Sequence, residues 1–147
     1  MSAWVRLLRA HAATTRAFNA DLLNEHGLTL NGFEALLHLS RAEDGRMRRV
    51  DLAENLLLTA SGVTRLLDGL EAQGLVERAS CASDRRVVYA VITTDGRQRL
   101  HAASDSHVAA VTALFEGRLT QDELDRLGEL LARLPGADSG DDEDCTS

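Results

Sequence analysis

Over residues 50–92 the spacing of apolar side chains switches from a helical period to alternation, and few folds accommodate that switch within so short a stretch. Residues 49–56 predict a short helix with Val50, Leu52, Ala53 and Leu56 turned inward, followed by a tight turn at Leu57 and Leu58. Thr59 is the candidate N-cap of a helix running through Gln73, because its hydroxyl can accept from a free N–H of the first turn. In that helix Val63, Leu66, Leu67 and Leu70 share one face, Ser61, Thr64, Arg65 and Asp68 lie on the other, and Gly74 supplies a left-handed stop. Residues 75–79 alternate as a strand, 80–86 form a polar loop, and 87–92, rich in β-branched residues, return as a second strand. Two short helices, a tight turn and a hairpin with arginines at its tip are the plan of a winged helix-turn-helix, mainly α with a small β-hairpin wing.

Amphipathic helices flank this unit. Trp4, Leu8, His11, Thr15, Phe18 and Leu22 recur at spacings of four and three, one face of a helix over about residues 3–25. Gly27 stops it, and Thr29 caps a second helix bearing Leu30, Phe33, Leu36, Leu37 and Leu39, which ends before the polar loop around Asp44 and Gly45. Beyond the hairpin, Thr93 and Thr94 are candidate caps for a helix to about Gly117, with Leu100, Val108, Val111, Leu114 and Phe115 apolar. Thr120 and Glu123 spell a capping box for a last helix with a stripe of Leu124, Leu127, Leu130, Leu131 and Leu134, terminated by Pro135 and Gly136. One winged domain cannot cover all these stripes. Residues 1–25 and 94–134 are therefore expected to be N- and C-terminal dimerisation helices around a lobe over 28–93, within a single domain spanning 1–134. Residues 135–147 are polar and acidic and are expected to be disordered.

Composition excludes several function classes. No apolar run approaches the roughly 20 residues a membrane span needs, and the N-terminus MSAWVRLLRAH lacks a signal-peptide core and cleavage site. A cytoplasmic protein without membrane contact is expected. Cys81 and Cys145 stand far apart without metal-ligand spacing, and His101, Asp105 and His107 contain no His-x-x-x-His pair, so neither metal nor cofactor is expected. With no Gly-rich phosphate loop, nucleophile elbow or metal-binding pair, nothing carries catalysis. A net charge of −7 runs against a nucleic-acid partner, whose phosphates demand local positive charge. The acids are unevenly spread, however: five lie in the tail (Asp138, Asp141, Asp142, Glu143 and Asp144), and residues 46–86 hold seven arginines against six acids. The helix–turn–helix and hairpin therefore carry a net +1, against −8 for the rest of the chain.

The run DLAENLLLTASGVTRLLDGLEAQGLVERASCASDRRVVYAVITTDGRQRL resembles the MarR (multiple antibiotic resistance regulator) family of bacterial transcription regulators. The likeness is carried by the Leu-Ala of the first short helix, Val63-Thr64-Arg65-Leu66, and Leu70-Glu71-x-x-Gly74-Leu75-Val76-x-Arg78. It continues in Asp84-Arg85-Arg86 and in the Thr-x-x-Gly of Thr93 and Gly96. The resemblance implies a homodimer that binds a pseudo-palindromic double-stranded DNA operator and usually represses neighbouring genes until a small ligand or oxidant weakens binding. The alternative is a winged-helix protein–protein docking module that has lost DNA binding.

A recognition helix enters the major groove by its N-terminal end, where free N–H groups also favour phosphate. Thr59, Ser61 and Thr64 are thus candidates for base edges or phosphate oxygens, with capping and surface solvation as their other use. Arg65 is a candidate for guanine or phosphate, or for an ion pair with Asp68, and Gly62 leaves room for close approach. In the family's Asp-x-Arg wing, Asp84 would hold the loop while Arg86 reaches a narrow minor groove and Arg85 adds a backbone contact. Arg78 is open between a phosphate contact and a pair with Glu77 or another acid. Arg46, Arg48 and Arg49 form a charged edge from which an arginine such as Arg49 could clamp flanking backbone.

The resemblance implies that an effector, aromatic or phenolic, would lie between the first two helices, with Trp4, His11, Phe33, Glu34 and His38 as candidate lining residues. For Trp4 and Phe33, core or dimer packing is the favoured use. Cys81 beside the wing is a candidate for oxidation, with arginines nearby to favour thiolate, and otherwise an incidental surface cysteine; Cys145 among acids is expected to be unreactive.

Overall fold

Capping side chains and left-handed glycines set most of the boundaries. A computed structural model describes residues 2–136; the disorder expected of the tail from residue 137 onward lies outside the described residues. The helices α1 (Ser2–His26) and α2 (Leu30–Arg41) are separated by Gly27 at φ +65°. The Thr29 hydroxyl accepts from Gly32 N at 2.9 Å to start α2. A single helical turn (Glu43–Gly45) leads to β1 (Arg46–Arg48), α3 (Arg49–Asn55) and α4 (Ala60–Ala72). The wing strands β2 (Val76–Ser80) and β3 (Val88–Ile92) follow, then α5 (Thr94–Phe115) and α6 (Gln121–Leu131). The capping box before α6 forms as expected, the Glu123 carboxylate accepting from Thr120 N at 2.8 Å. Those hydrogen bonds from Thr120 hold the Glu123 carboxyl below its usual range. Among the described residues no helix is long and apolar enough to cross a membrane.

The sheet has three strands, not the two of a simple hairpin. Its order is β1-β3-β2, antiparallel throughout, with Met47 opposite Ala90 and Arg78 opposite Ala90 on the other side. Strand β1 falls within the charged edge of Arg46, Arg48 and Arg49, where Arg-Met-Arg is too short to show alternation. Asp44 (φ 56°) and Gly45 (φ +66°) turn the chain so that these residues pair with β3.

The chain divides into two compact units, Met1–Val108 and Ala109–Ser147, the division falling within α5. In the first, a leucine-rich core joins Leu22 of α1, Phe33, Leu36 and Leu39 of α2, Leu52 of α3, and Val63, Leu67 and Leu70 of α4. Leu75, Val76, Ala90 and Ile92 at the wing base and Leu100 and Ala103 of α5 complete it. One expected core residue is misplaced: Val50 is 59% exposed. Helix α3 starts at Arg49 as expected, but the face burying Leu52, Ala53 and Leu56 is centred about 115° from Val50 at 100° per residue, which leaves Val50 on its flank.

Helix α1 is anchored by its C-terminal half. Asn19 Oδ1 accepts from Leu30 N at 2.9 Å, His26 Nε2 lies 2.7 Å from Ser106 Oγ, and Arg99 donates to the His26 carbonyl at 2.8 Å. His107 packs between Phe18 (5.3 Å between centroids) and Phe33 (4.8 Å), where burial pushes its pKa down. Trp4 and Leu8, in contrast, are exposed. In the second unit no residue of α6 is buried, although Leu124 and Leu127 are half-buried.

Candidate nucleic-acid interface

The start of α4 is built by its own side chains. Thr59 Oγ1 accepts from Gly62 N at 3.1 Å and lies 3.2 Å from Ser61 Oγ, so Thr59 is the N-cap. Thr64 donates its hydroxyl to the Ala60 carbonyl at 2.8 Å, leaving its oxygen lone pairs and methyl for an outside partner. Gly62 serves a closer purpose than the expected approach to DNA. A Cβ there would meet Thr59 Oγ1 at 3.1 Å and Leu58 at 3.6 Å, so the space is occupied by the turn and its cap. Ser61 and Arg65 are exposed, and the alternative Arg65–Asp68 pair does not form.

Asp84 shapes the wing tip. Its Oδ1 accepts from Arg86 N at 2.9 Å and its carbonyl from Val87 N at 3.1 Å, while Cys81 N donates to the Val87 carbonyl at 3.2 Å to close the loop. The acid therefore holds the tip through the backbone, leaving the Arg85 and Arg86 side chains exposed. Cys81 Sγ lies 3.0 Å from Ser83 Oγ, and that hydrogen bond, with the Ser83 and Asp84 backbone, lowers its pKa; the expected help from arginines is not the cause.

Ion pairing sorts the seven arginines of residues 46–86. Arg48 is bidentate to Asp51 at 2.6 and 2.8 Å, and Arg78 pairs with Asp68 and, at 3.2 Å, with Glu71. Arg78 thus takes the structural alternative, with acids on α4 rather than with Glu77. Arg46 lies over the Tyr89 ring, 5.0 Å from its centroid, a contact invisible before β1 was paired with β3. Among the described residues no carboxylate lies within ion-pair distance of Arg49, Arg65, Arg85 or Arg86. These four stand at the start of α3, on the outer face of α4 and at the wing tip. Uncompensated cations on a helix face and a hairpin tip suit a polyanion with grooves.

The sequence-predicted effector residues are less coherent. Glu34 is half-buried, and desolvation raises its pKa against the opposing pull of His11. Phe33 is core, and Trp4 is 61% exposed. No group of three or more His, Cys, Asp or Glu among the described residues is arranged for a metal.

Known proteins match this architecture. A family model described as MarR family matches residues 26–87. AbsC, a MarR family transcriptional regulator from Streptomyces coelicolor, is 34% identical, with a TM-score of 0.80 over 88% of this chain and 87% of its own. The chain belongs to the MarR family. Sco3205, a MarR family regulator from the same organism solved in complex with DNA, superposes with a TM-score of 0.81 at 27% identity, over 87% of this chain and 80% of that one. The transcriptional repressor YetL of Bacillus subtilis is 32% identical over 111 residues, which are 74% of this chain and 66% of that repressor. This MarR-family chain is thus a winged-helix transcription regulator, not an enzyme.

Proposed function

We propose that the protein is a cytoplasmic, sequence-specific repressor that binds a pseudo-palindromic operator as a homodimer and releases it on binding a small aromatic or phenolic molecule. The observation that carries the DNA-binding reading is the sorting of arginines. Arg48 and Arg78 are neutralised within the fold, whereas Arg49, Arg65, Arg85 and Arg86 have no carboxylate partner among the described residues and stand on the elements a winged helix presents to DNA. In this reading the N-terminal turn of α4, with Thr59, Ser61 and Thr64, enters the major groove. Arg86 enters the minor groove, while Arg85 and Arg49 contact phosphates on either side. The homodimer reading is supported by the exposed apolar residues Trp4, Val5, Leu7 and Leu8 of α1 and Leu130, Leu131 and Leu134 near the end of the described chain. Support for an effector is the half-buried Glu34 carboxyl beside His11, with His38 one turn along α2.

The test is a titration of the purified protein against a duplex from its own upstream intergenic region and a scrambled duplex at several salt concentrations. Tight binding to the first alone, weakening steeply with salt, is expected. Equal, weak binding to both would leave this region without an operator and favour the docking-module alternative.

A further inference from the structure

We infer that Arg78 is a positioning residue that clamps the wing to the recognition helix and so sets where Arg86 meets DNA. This rests on the DNA-binding reading above. The wing strand β2 is the edge of the sheet, with β3 as its only strand neighbour. Lateral restraint of β2 on its open side must therefore come from side chains. Arg78 shares a strand face with the buried Val76, which directs it towards α4. There its Nη2 pairs with Asp68 and its Nε with Glu71 at 3.2 Å. The two acids are three residues apart on one helical face, and a planar guanidinium can engage both at once, whereas a lysine ammonium is a single point charge.

These pairs are largely exposed, and such pairs add little to stability. Their consequence is geometric: they tie the strand leading to the wing tip to the helix that would lie in the major groove. The two carboxylates outnumber the one guanidinium, so this cluster is unsuited to contact phosphate itself.

The test compares the full-length wild type with Arg78→Lys, Arg78→Met and the neutral triple variant Asp68→Asn/Glu71→Gln/Arg78→Met. Amide hydrogen exchange without DNA reads the clamp directly. Exchange of the β2 and β3 amides should quicken in the Met and triple variants while α5 amides stay unchanged. Binding to the upstream duplex should weaken about tenfold in both, with an unchanged slope of log Kd against log salt, and Arg78→Lys should fall between them and wild type. Because Lys keeps the charge, it decides the matter if the Met variants fold poorly. Wild-type hairpin exchange in every variant would overturn the clamp. So would a salt slope reduced by about one per lost contact, which marks a phosphate contact, or wild-type affinity in the neutral triple, which marks mere masking of the acids. Should wild type not bind the duplex, the DNA-binding reading fails while the exchange data still decide the clamp.

Discussion

Two residues at the proposed DNA face carry opposite lessons about local energetics. Leu57, in the turn between α3 and α4, has φ 53° and is 86% exposed, so it bears left-handed strain without packing in return. Relief of that strain is worth about 1–2 kcal/mol and glycine's extra unfolded-state entropy offsets about 0.4–1 kcal/mol. Leu57→Gly should therefore stabilise the protein by roughly 0.5–1 kcal/mol, read as a rise in Tm of about 1–4 °C. An unchanged or lower Tm would mean that the leucine makes a contact that offsets its strain. Among the described residues the Arg86 guanidinium has no partner, so its removal should leave Tm alone. Arg86→Ala is expected to cost about 1–3 kcal/mol of operator binding at matched salt. Unchanged affinity would remove the wing from the mechanism.

Between elements, the junction of wing and α5 is the tightest feature. Thr93 donates its hydroxyl to the Gly74 carbonyl at 2.7 Å and accepts from Gly96 N at 3.0 Å, while its own N–H reaches the Leu75 carbonyl at 3.1 Å. One threonine thus joins the end of the recognition helix, the wing and the start of α5. A Cβ at Gly96 would overlap the Leu75 carbonyl oxygen, a backbone atom that cannot rotate away. Gly96→Ala should accordingly destabilise by about 2–3 kcal/mol in urea unfolding, whereas the exposed Gly128, whose added Cβ meets nothing, should tolerate alanine. His107 makes the packing of α1, α2 and α5 pH-dependent. Burial between Phe18 and Phe33 depresses its folded pKa below the ordinary 6.5, so the unfolded chain binds the proton first as pH falls. Its contribution is fully present above pH 6.5 and is lost as pH drops through the depressed value. The wild type should therefore lose more stability between pH 7.5 and 5 than His107→Gln does, in paired urea titrations. Equal slopes would show that another group controls this range.

For the whole molecule, the question is what covers the apolar residues that the single chain leaves in water. Trp4 and Leu8 of α1 in the first unit are exposed by 61% and 46%, and Leu130 and Leu134 at and beyond the end of α6 in the second by 44% and 46%; exposed apolar side chains of this kind mark interaction surfaces. A homodimer should sediment at twice the 15.9 kDa chain mass, and Leu8→Glu combined with Leu130→Glu should convert it to monomer and abolish cooperative operator binding. A wild type that sediments as a monomer at micromolar concentration would refute the dimer. Two-fold symmetry would further place operator half-sites about one helical turn, roughly 10 bp, apart.

Helix caps, turn glycines and the recognition-helix face were legible in the sequence because each depends on neighbours within a few residues. Thr29, Thr59 and Thr120 cap as their spacing predicts, and Gly27 and Gly74 end their helices with positive φ. The wing's Asp84 was legible for the same reason, since its hydrogen bond to Arg86 N spans two residues. Long-range partners were not legible. That Arg-Met-Arg is a strand, that Arg46 stacks on Tyr89, and that Arg78 meets Asp68 and Glu71 all depend on segments brought together by the core. The exposure of Val50 follows from which face α3 turns to that core. Local chemistry thus determined the elements and their ends, while tertiary packing decided which arginines are neutralised and which remain to meet a polyanion.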